Sequence, residues 1–187
     1  MNARGPKRGG FWRDDAGAAA VEFVLWLSLL VLPLINAVDL GVYVFKKMQV
    51  EMAAQAGTHA AWRLCDQSTE LPAVSNCTGL AGTIQTAVQS TTLGTTVTVA
   101  ANSPAEGYYC VNSSGALTLV GTAGRIGSAP SRPNPFTCQA QFSGSKTVPG
   151  DYVQVTVTYP YQPIFSQASI ASLLTTPITK TAWMRLN

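Results

Sequence analysis

Hydrophobic residues dominate the chain from Gly17 onward. Residues 18–45 are interrupted in their apolar run by Glu22, Ser28, Pro33, Asn36, Asp39 and Gly41. At about 1.5 Å per residue a helix of this length reaches roughly 42 Å, enough for one crossing of a hydrocarbon core of about 30 Å. Pro33 removes a backbone donor, which a membrane helix tolerates with a bend when side chains or neighbours satisfy the freed carbonyl. Past Lys46 the helical spacing persists: Met48, Met52, Ala56, Ala60 and Leu64 recur every four residues and form a stripe that needs a cover in water. Ala53, Ala54, Gly57 and Ala61 beside it are small enough to admit a sheet or another helix. Unbroken, residues 18–64 make a rod of about 70 Å.

From Asp66 the pattern changes to short β-like runs separated by Gly, Pro, Asn and Ser. Leu80, Ile84, Ala87 and Val88 have helical spacing, and residues 95–101 alternate as a strand. Residues 108–111 and 116–120 predict a hairpin, followed by a long loop over 121–135 that ends near Cys138. Residues 153–159 form the clearest strand and 167–174 a short helix. The last strand, 178–186, has Ile178, Ala182, Met184 and Leu186 on one face. The expected fold class is α+β: a long N-terminal helix packed on a small antiparallel sheet with short helices.

Composition and charge sharpen this picture. The 187 residues are 47% hydrophobic and 11% charged, with a net charge of +3. Arg4, Lys7, Arg8 and Arg13 against Asp14 and Asp15 put +2 of that charge before the apolar run, so there is no nucleic-acid footprint. By the positive-inside rule, four basic residues before the span and Lys46 and Lys47 after it keep the N-terminus cytoplasmic and export the C-terminal part. Cys65, Cys77, Cys110 and Cys138 all fall on the exported side, as disulfides in an oxidising compartment would. The chain divides into a cytoplasmic leader 1–17, a transmembrane helix 18–45, a periplasmic helix extension 46–64 and an exported head 65–187. An ordinary signal peptide cut near Ala37 is disfavoured by the length of the apolar run and the carboxylate that opens it.

Sites of catalysis or metal binding need convergent groups that this sequence does not bring together. His59 sits in an Ala-rich helix and reads as a helix-surface or packed residue rather than a ligand. The cysteines lack the Cys-x-x-Cys spacing of zinc or redox motifs. Ser143-Gly-Ser145-Lys146 matches Ser-x-x-Lys within a turn and lacks companion motifs. Gly121, Gly124 and Gly127 read as turn glycines. No cofactor and no metal are expected. Glu22 is the informative residue, because a carboxylate at the start of a spanning helix persists where a cation neutralises it.

Gly17-Ala18-Ala19-Ala20-Val21-Glu22-Phe23, with the carboxylate fifth after the glycine and an aromatic next, resembles the prepilin-peptidase site of type IV pilin-like proteins, in its TadE-like variant. The resemblance runs through Pro33, Asp39, Gly41 and the alanine-rich helix, and resumes at 153–161 and at Ala182-Trp183-Met184-Arg185. Val42 departs from it, standing where a basic residue is expected. Pseudopilins of general secretion carry Phe-Thr-Leu after the glycine, where this chain has three alanines.

The resemblance implies cleavage after Gly17, a mature N-terminus at Ala18, and an assembly role for Glu22, with Phe23 beside it. It implies a minor pilin or pseudopilin of a tight-adherence (Tad/Flp) pilus machine, which is not an enzyme and supports surface adhesion. The expected partners are the inner membrane, a prepilin peptidase, other pilus subunits and the assembly platform. The competing expectation is a membrane-anchored periplasmic binding module or enzyme that keeps its N-terminus. Four cysteines allow three pairings, and Cys65 with Cys77 and Cys110 with Cys138 is the favoured one.

Overall fold

The computed structural model describes residues 15–140, 147–174 and 176–186. Most of the expected leader and the Ser143 to Lys146 motif lie outside these residues. Helix α1 runs unbroken over Asp15–Leu64, with Pro33 inside it and Arg63 in its last turn, where a cation favours the helix dipole. Its first half is exposed and carries an 18-residue window of mean hydropathy 2.3, long and apolar enough to cross a membrane. Its second half is the spine of the head.

The head holds two further helices, α2 (Ala73–Asn76) and α3 (Leu80–Gln89), and five strands: β1 (Thr98–Val99), β2 (Ala105–Val111), β3 (Leu117–Arg125), β4 (Gly150–Tyr159) and β5 (Ile178–Arg185). All pairings are antiparallel. Central β4 has β5 along one edge, while β2 and β1 share the other edge end to end, and β3 closes the sheet beyond β2. The fold is α+β, as the alternation of patterns predicted.

Periodicity explains how the layers meet. Val153, Val155 and Val157 alternate along β4 and are fully buried. Leu80, Ile84 and Val88 recur every four residues along α3 and are buried with them. Each such side chain contributes about 1.5 to 3 kcal/mol when removed from water. The spine meets them with Val50, Ala53, Ala54, Gly57 and Ala61. A Cβ on Gly57 would fall 3.0 Å from Val88 on α3 and 3.1 Å from Val155 on β4, so the glycine sets how closely α1 approaches both α3 and the sheet. The buried face is therefore the one made of small residues. Met48 and Met52, expected to need a cover, are exposed, because a close sheet fits behind alanines and not behind long thioether side chains.

Other expectations also change. The strand expected over 95–101 is two residues long, since Gly94–Thr96 forms a 3-10 turn before it. The short helix expected over 167–174 is a 3-10 turn at Ile170–Leu173. Residues 121–125, expected as loop, complete β3. Gly121 and Gly124 therefore lie in a strand rather than a turn. Residues 126–131 fold back so closely that a Cβ on either glycine would meet the backbone of Ser131 or Pro130 at 2.4 Å. Cys65 is joined to Cys77 and Cys110 to Cys138, which is the favoured pairing. The first bond fastens the end of α1 to the segment after α2.

Candidate functional site

Three places on the molecule carry chemistry beyond packing. The first is the start of α1. Gly17 has open space where a side chain would be, and Ala18 and Glu22 are exposed. Phe23 is exposed as well, and Glu22 shares a strip of helix surface with Leu25, Trp26, Leu29 and Leu32. The ion pair of Lys180 Nζ with Glu51 Oε2, 3.2 Å apart, lies far along α1 from Glu22, for which no cationic partner occurs among the described residues. Within the monomer this carboxylate is aimed outward.

The second place is the joint between α1 and the head. Asp39 is fully buried, and its two carboxylate oxygens accept the backbone N–H groups of Ile164 and Phe165 at 3.1 and 3.2 Å. The Tyr161 hydroxyl donates to the Asp39 carbonyl at 3.1 Å, and its ring meets Tyr43 edge-on at 5.2 Å. One turn earlier, Asn36 Oδ1 accepts from Ile170 N–H at 2.7 Å while Asn36 Nδ2 donates to Leu32 O. Charge-assisted bonds from backbone donors to a buried carboxylate are among the stronger ones in proteins. Sequence reasoning placed Asp39 and Asn36 as interruptions of an apolar run, although a fixed polar pair at helical spacing in such a run was itself a signal of partners.

The third place is a carboxyl pair in the head. Glu106 on β2 is 1% exposed and accepts the N–H groups of Ala73 and Val74, at 2.9 and 2.7 Å, at the first turn of α2. Strand register sets Tyr108 opposite Asp151, so Asp151 lies one pleat from Glu106, close enough for the two carboxyls to influence each other. Burial and the neighbouring Glu106 charge push the Asp151 carboxyl up to about 7, with Arg132 opposing. Burial also raises Glu106, against the lowering effect of its backbone donors. Asp151 borders an open cleft of about 510 Å³ with Ser68, Leu71, Tyr108, Arg132 and Arg185. Arg132 in turn stacks on Phe136, 4.1 Å from the ring centre. Neither carboxylate stood out in the sequence, because 45 positions separate them and only strand register brings them together.

His59 is an exposed helix residue, and no cluster of metal-ligating side chains occurs among the described residues. The comparisons bear on the first place and on the α1 side of the second. Residues 17–59 match the model of the TadE-like protein family. The TadE-like segment begins at Gly17, contains Glu22, Pro33, Asn36 and Asp39, and lies wholly within α1. The match spans less than a quarter of the chain, so the likeness is that of the N-terminal segment to a family of Tad pilus components. No curated protein and no solved structure matches the chain. The head sheet and its carboxyl pair stand outside the TadE-like segment.

Proposed function

We propose that this protein is a minor pilin or pseudopilin of a Tad/Flp pilus machine, anchored in the inner membrane by the first half of α1 with its head in the periplasm. A prepilin peptidase would cut after Gly17, leaving Ala18 as the mature N-terminus. The observation that carries this reading is that the TadE-like match starts at Gly17, at the head of an exposed apolar helix whose fifth following residue is the outward-facing Glu22. In an assembling filament Glu22 would pair with the freed α-amine of a neighbouring subunit. Both charges lose hydration in the membrane, and their attraction offsets that cost only when the helices are in register. The pairing thus encodes the axial position of one subunit against the next.

The supporting features are the length and hydropathy of α1, the basic residues before it, and the two disulfides in the head, which suit an oxidising compartment. Intact-mass measurement of protein extracted from membranes tests the reading. A mature chain beginning at Ala18 is expected, with or without one methyl group on its amine. An intact Met1, or a start near Val38, overturns it.

A further inference from the structure

The lowest contact between head and spine is made by the segment 161–174, and its surface does not resemble a surface that faces water. Ile164 is 62% exposed, Phe165 40%, Ile170 64% and Leu173 85%. No Asp, Glu, Lys or Arg occurs from Tyr152 to Thr179. The segment is tied to α1 at Asn36 and Asp39. Residues 18–35 of the helix reach about 27 Å, close to the thickness of a hydrocarbon core of about 30 Å, so Asn36 and Asp39 stand where acyl chains give way to headgroups.

Most N–H groups of this segment have acceptors within the protein, which lowers the cost of taking its backbone out of water. The N–H groups of Ile164 and Phe165 go to Asp39, that of Ile170 to Asn36, and that of Ala171 to Ser169 Oγ. Those of Ala168 and Ser169 go to Phe165 O, Ser172 to Ser169 O and Leu174 to Ala171 O. Pro160 and Pro163 have no N–H to satisfy. Above the segment, Lys46 rests over the Tyr159 ring at 5.6 Å and is followed by Lys47. These cations stand roughly 10 to 15 Å beyond the Asn36–Asp39 level, within side-chain reach of lipid phosphates.

We propose that residues 161–174 are seated in the interface of the leaflet nearer the head, with Ile164, Phe165, Ile170 and Leu173 among the upper acyl chains. The head would then rest in the bilayer surface instead of standing clear of it on an exposed stalk. This rests on the membrane-anchor reading of α1 and adds to it a depth and an orientation for the head. Leu32, Leu34 and Leu40 on the neighbouring turns of the helix are exposed as well, and lipid would cover them in the same stroke.

Nitroxide labelling of the full chain in nanodiscs of phosphatidylethanolamine and phosphatidylglycerol tests this, using Leu173→Cys, Leu27→Cys and Val148→Cys separately. Contact with oxygen, which enters the bilayer, is compared with contact with a water-soluble nickel chelate. The expected result is loss of chelate contact at Leu173 to the level seen at Leu27, with full contact retained at Val148, which is exposed elsewhere on the head. Chelate contact at Leu173 with Leu27 protected overturns the seating and leaves the anchor intact. Chelate contact at Leu27 overturns both. Shielding of Leu173 from both reagents assigns the surface to a second copy of the chain and overturns the lipid assignment.

Discussion

Gly57 of the spine lies against Val155 at the centre of the sheet, so close that a Cβ on the glycine would fall 3.1 Å from Val155 Cγ1. Val155, Val88 and Ile84 are all β-branched and fully buried, and they have little freedom to yield. Gly57→Leu is expected to destabilise the head by about 2 to 3 kcal/mol through overpacking, even though leucine favours helix more than glycine does. Urea unfolding in detergent, followed by near-ultraviolet circular dichroism, measures the loss.

Asp39 should matter for docking of the head on the spine. In Asp39→Ala, two N–H groups lose their acceptor beside a buried helix face, an expected cost on the order of 2 kcal/mol. Hydrogen exchange at Ile164 and Phe165 should accelerate while exchange in β4 stays slow. Asp39→Asn keeps one acceptor oxygen and should fall between the two.

The carboxyl pair makes stability depend on pH. An unfolded aspartate loses its proton near pH 4, whereas Asp151 in the folded head holds it to about 7. Between those values the unfolded chain is the more deprotonated form, so stability is full below about pH 4 and is lost as pH rises through about 7. The loss is at most about 4 kcal/mol, with Arg132 acting against it. Asp151→Asn should flatten the profile, raising the thermal midpoint at pH 8 and leaving it nearly unchanged at pH 4.

Removing the first disulfide with Cys65→Ser and Cys77→Ser together should cost about 3 kcal/mol, from the entropy of a loop with a sequence separation of 12. Protease sensitivity should appear first around residues 66–76. Peptide mapping without reductant that joined Cys65 to Cys110 would contradict the bond.

Glu22 should affect assembly alone. Glu22→Ala makes the span more apolar and leaves the head untouched, so insertion, oxidation and cleavage should proceed. An unpaired neighbouring amine in the membrane would cost about 3 to 5 kcal/mol per contact, and the variant should fail to co-purify with other pilus subunits. Glu22→Asp should be intermediate. Normal recovery of complexes with Glu22→Ala would remove the proposed role.

The sequence made the long helix legible, along with α3, the hairpin and the two strongest strands, because each writes its own period into neighbouring residues. Hydrophobicity alone misjudged which face of α1 is buried. Met48 and Met52 outrank Ala53 and Gly57 on any transfer scale, yet the small pair sits under the sheet, because close approach depends on shape. The loop assigned to 121–135 began too early, since β3 runs on to Arg125: glycines that usually mark turns here let a returning segment of backbone lie across β3. Of the candidate sites, the proposed one at Gly17 and Glu22 rests on a local motif, which a sequence can display. Asp39 and the Glu106–Asp151 pair do not, since their partners are set by contacts across 125 positions and by strand register.

The head is bound to α1 at both ends of their shared length, by Asn36 and Asp39 near one end and by the Cys65–Cys77 bond at the other. A pull along the helix axis therefore finds no free edge at which to start peeling. It must slide the whole contact at once, breaking the bonds to Asp39 and the interlock of Gly57 with Val88 and Val155 in parallel. Two surfaces loaded in shear resist far greater tension than the same surfaces unzipped row by row. If the chain is a filament subunit as proposed, that geometry would turn modest individual contacts into a mechanical clamp.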